Sequence, residues 1–303
     1  MEQRQNYDER LGTDKMLPLI LKMALPAVAA QLVNLLYSIV DRIYIGHIEG
    51  IGKDALAGVG ITASVTILIS AFSSIVGAGG SPLAAIALGQ GDREKAARIL
   101  NNGFIMLMFF SVLTSLLAYA FMESALKFSG ASEVTMPYAK DYLSVYLIGT
   151  VFVQISTGLN LYINCQGRPG IAMLSVIIGA LLNTLLDPLF IFVFKMGVAG
   201  AAFATVISQG VSAAWILIFL FSKRAGLRLS FSDMRLDFRV IGQIMTLGIS
   251  PFVMASTESL VGFVMNGTLG GFGDIYVSAL TVMQSTMQIV SVPMAGFAQG
   301  FVP

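Results

Sequence analysis

Eight apolar stretches, each close to the length of a bilayer-crossing helix, account for most of this sequence: 17–44, 56–80, 99–121, 138–162, 170–194, 199–221, 243–266 and 278–301. A run of about 20 apolar residues spans the hydrocarbon core as a helix. An all-α polytopic membrane protein is therefore expected. Helices buried in a soluble protein would keep polar faces, and these stretches have almost none. Only 12% of residues are charged and the mean hydropathy is +0.80, against about 25% charge in a typical soluble domain. The Gly, Ser, Thr and Asn scattered through the stretches suit helices that pack on one another.

The remaining composition excludes several kinds of chemistry. One cysteine, Cys165, leaves no intrachain disulfide and no Cys-rich metal site, and one histidine, His47, argues against a histidine metal centre. A net charge of +1 gives no basis for a nucleic-acid partner. No GxxxxGK[ST] phosphate loop occurs, so ATP-driven transport by this chain is not expected. No nucleophile, base and orienting group recur as a set, so an enzyme is not expected either. Residues 1–16 are polar, and the apolar run behind them is too long for a signal peptide.

Placement of Lys and Arg sets the orientation. With the N-terminus in the cytoplasm, thirteen of the 18 basic residues fall on the inner side and five on the outer. The longest loop, 222–240, is basic with interleaved Leu, Phe and Met, and is expected to lie as an amphipathic segment on the cytoplasmic membrane surface. A weak internal repeat joins the first and seventh stretches. Pro26 and Pro251 are 225 positions apart, and the same offset sets Asp41 against Asn266 and Gly46 against Gly271. By that repeat the chain ends two helices into its second unit. The expected division is 1–222 as an N-terminal lobe of six spans, 223–241 as a linker, and 242–303 as the start of a C-terminal lobe, eight of about twelve spans.

Three acids fall inside these stretches: Asp41, Asp187 and Glu258. An Asp at mid-membrane costs about 2.5–3.5 kcal/mol on insertion scales, so each should face protein or water. Asp187 sits in LLNTLLDPLFIFVF, with Asn183 one helical turn before it on the same face and Pro188 directly after. Proline lacks an N–H and weakens the local ladder. Asp41 falls at a similar depth, with Tyr37 and Asn34 on the turns before it. Asn34, Tyr37, Asp41, Asn183 and Asp187 can line one polar pocket for a proton or a hard cation such as Na⁺, held by oxygen ligands. Glu258, in MASTESLVG, is a further cation-coupling candidate. The competing readings are an interfacial charge for Asp41, which precedes Arg42, and a structural hydrogen bond for Glu258. Gln154, Asn160, Gln284, Gln288 and Met287 are candidates for cavity lining. GAGGSP (77–82) favours close backbone packing over gating, and GQGDREKAARI (89–99) reads as a tight turn into a helix.

Several motifs together resemble the multidrug and toxic compound extrusion (MATE) family of secondary transporters. They are LPAVAAQLVNLLYSIVDRIYIGHIEG with ALAGVGI, GQGDREKA, LNLYINCQGRPG, LLNTLLDPLFIF and PMAGFAQGFVP. The resemblance implies twelve helices in two six-helix lobes around a cleft, acting by alternating access in a bacterial inner membrane. It implies export of cationic or amphipathic drugs driven by H⁺ or Na⁺, with no other cofactor, by a protein in contact with membrane lipids and monomeric when full length. It also implies coupling roles for Asp41, Asn183 and Asp187, with possible Na⁺ ligation, and for Glu258. A lipid-linked oligosaccharide flippase of the same superfamily is the alternative, but flippases of that kind line the cavity with basic residues, and the deep spans here carry carboxylates. An inactive truncated membrane protein is the third reading.

Overall fold

The computed structural model describes residues 16–230 and 234–299. These residues form α1 (Met16–Gly46), α2 (Gly52–Gly89), α3 (Arg93–Ala120), the short α4 (Met122–Phe128), α5 (Met136–Ile148), α6 (Thr150–Asn164), α7 (Pro169–Pro188), α8 (Gly197–Phe221), α9 (Phe238–Gly270) and α10 (Asp274–Gln299). A π-helical turn, Leu189–Val193, continues α7. All eight expected spans are helical over most of their described residues. The basic residues Arg4, Arg10 and Lys15, the middle of the 222–240 loop and the closing 300–303 lie outside the described residues.

The spans can be counted among the described residues. Among the described residues six single helices are long and apolar enough to cross a membrane, and the pair α5–α6 makes a seventh. The helix α10, Asp274–Gln299, coincides with the eighth expected stretch, but several of its residues lie outside those described and it is not part of this count. The stretch read as one span over 138–162 is broken at Gly149, where α5 and α6 meet at 61°. A Cβ on Gly149 would lie 2.7 Å from Val206 Cγ1 of α8, so the missing side chain is what lets the break seat against α8.

Two apolar cores stack along the membrane normal. One, around Val76, Ile99, Leu159, Ile163, Ile216 and Ile244, joins α2, α3, α6, α8 and α9 toward the GQGD end. The other, around Ile45, Ile61, Leu126, Leu143 and Val198, joins α1, α2, α4, α5 and α8 at the opposite end. The helix α2 runs unbroken through Pro82 to Gly89. Its GAGGSP stretch is where neighbours come closest. A Cβ on Gly77 would lie 3.0 Å from Gly158 O of α6, and one on Gly79 would lie 2.7 Å from Gly248 N of α9. Gly80 leaves room for the Tyr162 hydroxyl, which donates to Val76 O at 3.1 Å. Close packing is thus what this stretch does.

The GQGD turn is closed by Asp92 N–H donating to Ala87 O (2.9 Å), with Gly91 at φ 77°. The Asp92 side chain then accepts from Lys95 N–H at 2.9 Å and caps α3. At the opposite end of the bundle, Glu123 of α4 pairs with Lys127 (3.0 Å) and Lys140 (2.9 Å), whose ammonium groups hold its carboxyl near a pKa of about 2.

The connection after α8 departs from a surface-lying segment. Ala225, Leu227 and Leu229 are buried while Arg224 and Arg228 are exposed, so burial alternates with a two-residue period along this stretch. Leu227 N–H donates to Gln166 Oε1 (3.0 Å) and Leu229 N–H to Leu220 O (3.1 Å). Further on, Ser230 N–H donates to Asn101 Oδ1 (3.2 Å) and Asp237 N–H to Asn102 Oδ1 (2.9 Å). The full burial of two leucines contributes about 1.5–3 kcal/mol each. Beyond this strap α9 packs along α2, and α10 packs on α1.

Candidate functional site

The helices α1 and α7 run side by side and bring their two acids together. Asp187 is completely buried and Asp41 is 8% exposed. Each lies in the last turns of its span, about 8 Å from the end of α1 in the case of Asp41. The two carboxylates are within electrostatic reach of each other, and Tyr37 and Tyr142 are within reach of Asp41. Asp41 is thus enclosed by protein rather than exposed at the end of its helix. Its Oδ1 is buried and has no hydrogen-bond partner. Arg42, next in sequence, reaches across to the Thr281 carbonyl of α10 at 3.3 Å.

Asn183 ties Asp187 to α8. Its Nδ2 lies 3.4 Å from Asp187 Oδ1 and 3.3 Å from Thr205 Oγ1. With the carboxamide turned over, Nδ2 donates to Asp187 Oδ2 at 3.2 Å and Oδ1 accepts from Thr205 N–H at 3.3 Å, which serves both neighbours better. Pro188 ends the α-helical register one residue beyond the acid, and the wider π turn follows. Having no N–H, Pro188 leaves the Thr184 carbonyl without its usual partner in the ladder.

A polar cavity of about 270 Å³ opens beneath the acid pair, between α1, α2, α6, α7 and α8. Asn34, Tyr37, Asn160 and Asn183 border it, whereas Asp41 and Asp187, expected to line the same pocket as Asn34, Tyr37 and Asn183, do not. Asn160 donates to Ala172 O (3.1 Å) and Ser175 Oγ (2.8 Å), while Asn164 Oδ1 and Ser208 Oγ, both on the wall, have no partner. Thr205, Ser208, Gln209 and Ser212 of α8 also line the cavity. Their i, i+3, i+4, i+7 spacing is a polar helix face that sequence reasoning overlooked. Tyr142, beside Asp41 and facing Thr205, was overlooked as well.

Other candidates are placed elsewhere. Gln154 does not border the cavity: it is fully buried toward α2 and α3, donating to Thr114 Oγ1 (3.1 Å) and Ile69 O (3.4 Å). Glu258 is exposed on α9, because the adjacent Ser259 occupies the face against α2 and donates to Ser64 O at 2.6 Å. Gln284, Gln288 and Met287 lie on α10 away from the cavity, Met287 being 66% exposed. Among the described residues no group of three or more His, Cys, Asp or Glu is arranged to hold a metal ion. Asp41 and Asp187 offer two carboxylates, and any further oxygen ligands would come from neutral side chains.

Comparison with known proteins places this arrangement. The multidrug export protein MepA of Staphylococcus haemolyticus (strain JCSC1435) is 22% identical over 284 residues, covering 94% of this chain and 62% of the relative. The structure of the MATE multidrug transporter DinF-BH is 34% identical with a TM-score of 0.91, covering 96% of this chain and 65% of that one. An outward-facing conformation of a multidrug resistance MATE family transporter of the MOP superfamily superposes with a TM-score of 0.83 at 25% identity, covering 93% and 62%. The chain thus spans less than two thirds of the length of the relatives it matches. The family model MatE matches residues 26–189, more than half of the 303 and inclusive of both Asp41 and Asp187, and the chain belongs to the MatE family of polytopic membrane transporters.

Proposed function

We propose that this chain forms the cation-coupling part of a multidrug exporter that works by alternating access and moves cationic amphipathic compounds outward against an inward flow of H⁺ or Na⁺. One observation carries the reading: two carboxylates from different spans are buried together above a polar cavity, one of them with an unpartnered oxygen. Burying charge in a membrane costs several kcal/mol, and a cation that neutralises the pair recovers that cost. Coupling then requires that a second conformation hold the ion less tightly than this one. The absence of basic residues from the cavity wall favours positively charged cargo over phosphate-bearing lipid-linked sugars. The test is efflux of ethidium, a cationic aromatic dye, by the full-length protein in vesicles, with H⁺ and Na⁺ gradients imposed separately. Efflux is expected to rise several-fold with one of the two. Equal rates with both gradients collapsed would exclude antiport.

The same reading divides the chain into a first lobe at 1–222, a linker at 223–241 and the start of a second lobe from 242. It is supported by reciprocal pairing: α2 packs on α9 as α10 packs on α1, the pattern expected when α1–α2 and α9–α10 are repeats about a two-fold axis. The N-terminus and the strap lie on the cytoplasmic side by the distribution of Lys and Arg. Cysteines introduced at Arg224 and Arg228, both exposed, are expected to resist an impermeant external thiol reagent in intact cells and to react after lysis. Labelling from outside would reverse the topology.

A further inference from the structure

The strap that joins α8 to α9 does more than connect. Between its end and the first turns of α3 lies a recess of about 920 Å³. Glu94, Arg98 and Asn101 of α3 form one wall, one above another at helical spacing, and Arg235, Asp237 and Arg239 form the other. Three guanidinium groups therefore face two carboxylates. Both carboxylates are already engaged: Glu94 Oε1 accepts from Arg98 at 2.8 Å, and Asp237 Oδ1 accepts from Arg239 N–H at 2.9 Å as the cap of α9. Arg235 and Arg239 make no ion pair among the described residues.

Asn101 indicates what the recess lacks. It is 1% exposed, and its Oδ1 is taken by Ser230 N–H. That bond fixes the orientation of the amide, so Nδ2 is the end left over, and Nδ2 is buried without a partner. A buried donor without an acceptor costs about 1–3 kcal/mol. An acceptor-rich anion between the two walls would pair with the two arginines that have no ion pair among the described residues, with the unpartnered Asn101 amide just behind the α3 wall adding a favourable dipole, and a phosphate ester offers oxygens in the geometry guanidinium groups favour. On the rim, Leu236 is 58% exposed and Phe238 is 80% exposed, apolar side chains placed to enter the acyl boundary beside a headgroup. Basic residues counted to the cytoplasmic side meet an anionic leaflet there.

We propose that the recess between the start of α3 and residues 235–239 is a binding site for a phosphate ester, supplied by the headgroup of an anionic membrane lipid. It is separate from the acid pair: no residue borders both this recess and the polar cavity. Occupancy ties the strap to α3 at a point where α9 begins, and so links the lipid to the position of α9.

The site is tested on the whole chain in detergent, by thermal stabilisation and by retention of adducts in native mass spectrometry. The probes are phosphatidylglycerol, phosphatidylcholine and inorganic phosphate. Phosphatidylglycerol is expected to bind and stabilise. Each arginine near an anionic lipid contributes about a factor of five, so R235Q/R239Q should bind about 25-fold more weakly. Asn101→Asp keeps an oxygen for Ser230 N–H but sets a negative charge in place of the donor, and should weaken binding tenfold or more. R224Q/R228Q, on the outward face of the strap, should bind as the unaltered chain does. Lipid selectivity without an effect of inorganic phosphate assigns the ligand to the membrane, while equal dependence on inorganic phosphate assigns it to a soluble phosphate ester. Binding that survives R235Q/R239Q and Asn101→Asp, equal binding of phosphatidylcholine, or an equal loss in R224Q/R228Q would overturn the site.

Discussion

Asp187→Asn in the full-length protein is expected to lower gradient-driven ethidium efflux by 100-fold or more while leaving the amount of inserted protein unchanged. The substitution conserves shape. Asn183 and Thr205 can rearrange their hydrogen bonds around an amide as they do around the carboxylate, so the walls of the cavity stay in place. What is lost is the ability to carry a proton or to bind a hard cation. The fold should not suffer, because a completely buried charge is replaced by a neutral group and its desolvation cost disappears. Measuring efflux with and without the gradient separates the coupled component from leak. A mutant that still responds to the gradient like the parent would refute the coupling role of the acid pair. A mutant that fails to insert would show instead that Asp187 serves the fold.

Much of this site is legible in the sequence. An acid in an apolar helix is costly, and a costly residue on one helix at the depth of another acid on a second helix predicts a meeting. The four-residue spacing places Asn183 on the face of Asp187, and Pro188 marks where the helix changes register. The residues that escape such reasoning carry weaker marks. Thr205, Ser208, Gln209 and Ser212 form a polar stripe, but each residue is common in membrane helices, and only the shared face distinguishes them. Gln154 misleads because a polar group in a membrane helix can serve packing as well as transport, and its partner Thr114 is 40 positions away in the sequence.

The helices themselves follow from apolar length, whereas their interruptions depend on contacts. Nothing local at Gly149 announces a 61° break. Val206 of another helix occupies the space a side chain at this position would need, so the break accepts only glycine. The strap 224–230 does carry a signal, since Ala225, Leu227 and Leu229 alternate with polar or small residues at the period of a strand. Its basic character draws attention to the membrane surface and away from the alternation that directs it inward. Glu258 is placed by its neighbour: Ser259 takes the face of α9 against α2, and the acid is exposed on the other side, away from the first six spans.

Gly248→Val is expected to produce a large loss of stability. A Cβ at this position would lie 2.7 Å from both Ile75 C and Ile75 Cα of α2. These are backbone atoms, so no rotamer change can relieve the contact and the two helices must separate. Overpacking of this kind costs about 1–3 kcal/mol, and here it acts where α2 and α9 cross. The melting temperature in detergent should fall by about 5 °C or more. Gly242→Val is the control. It lies on the same helix with nothing within 4 Å of its added Cβ, so it shares the change in helix propensity without the clash. Gly79→Val should behave like Gly248→Val, because its Cβ would lie 2.7 Å from Gly248 N. The double variant should then lose less than the sum of the two, since once the helices have been forced apart by one side chain the other meets less resistance. Equal melting temperatures for Gly248→Val and Gly242→Val would show that α2 and α9 are not held in this contact in the folded protein.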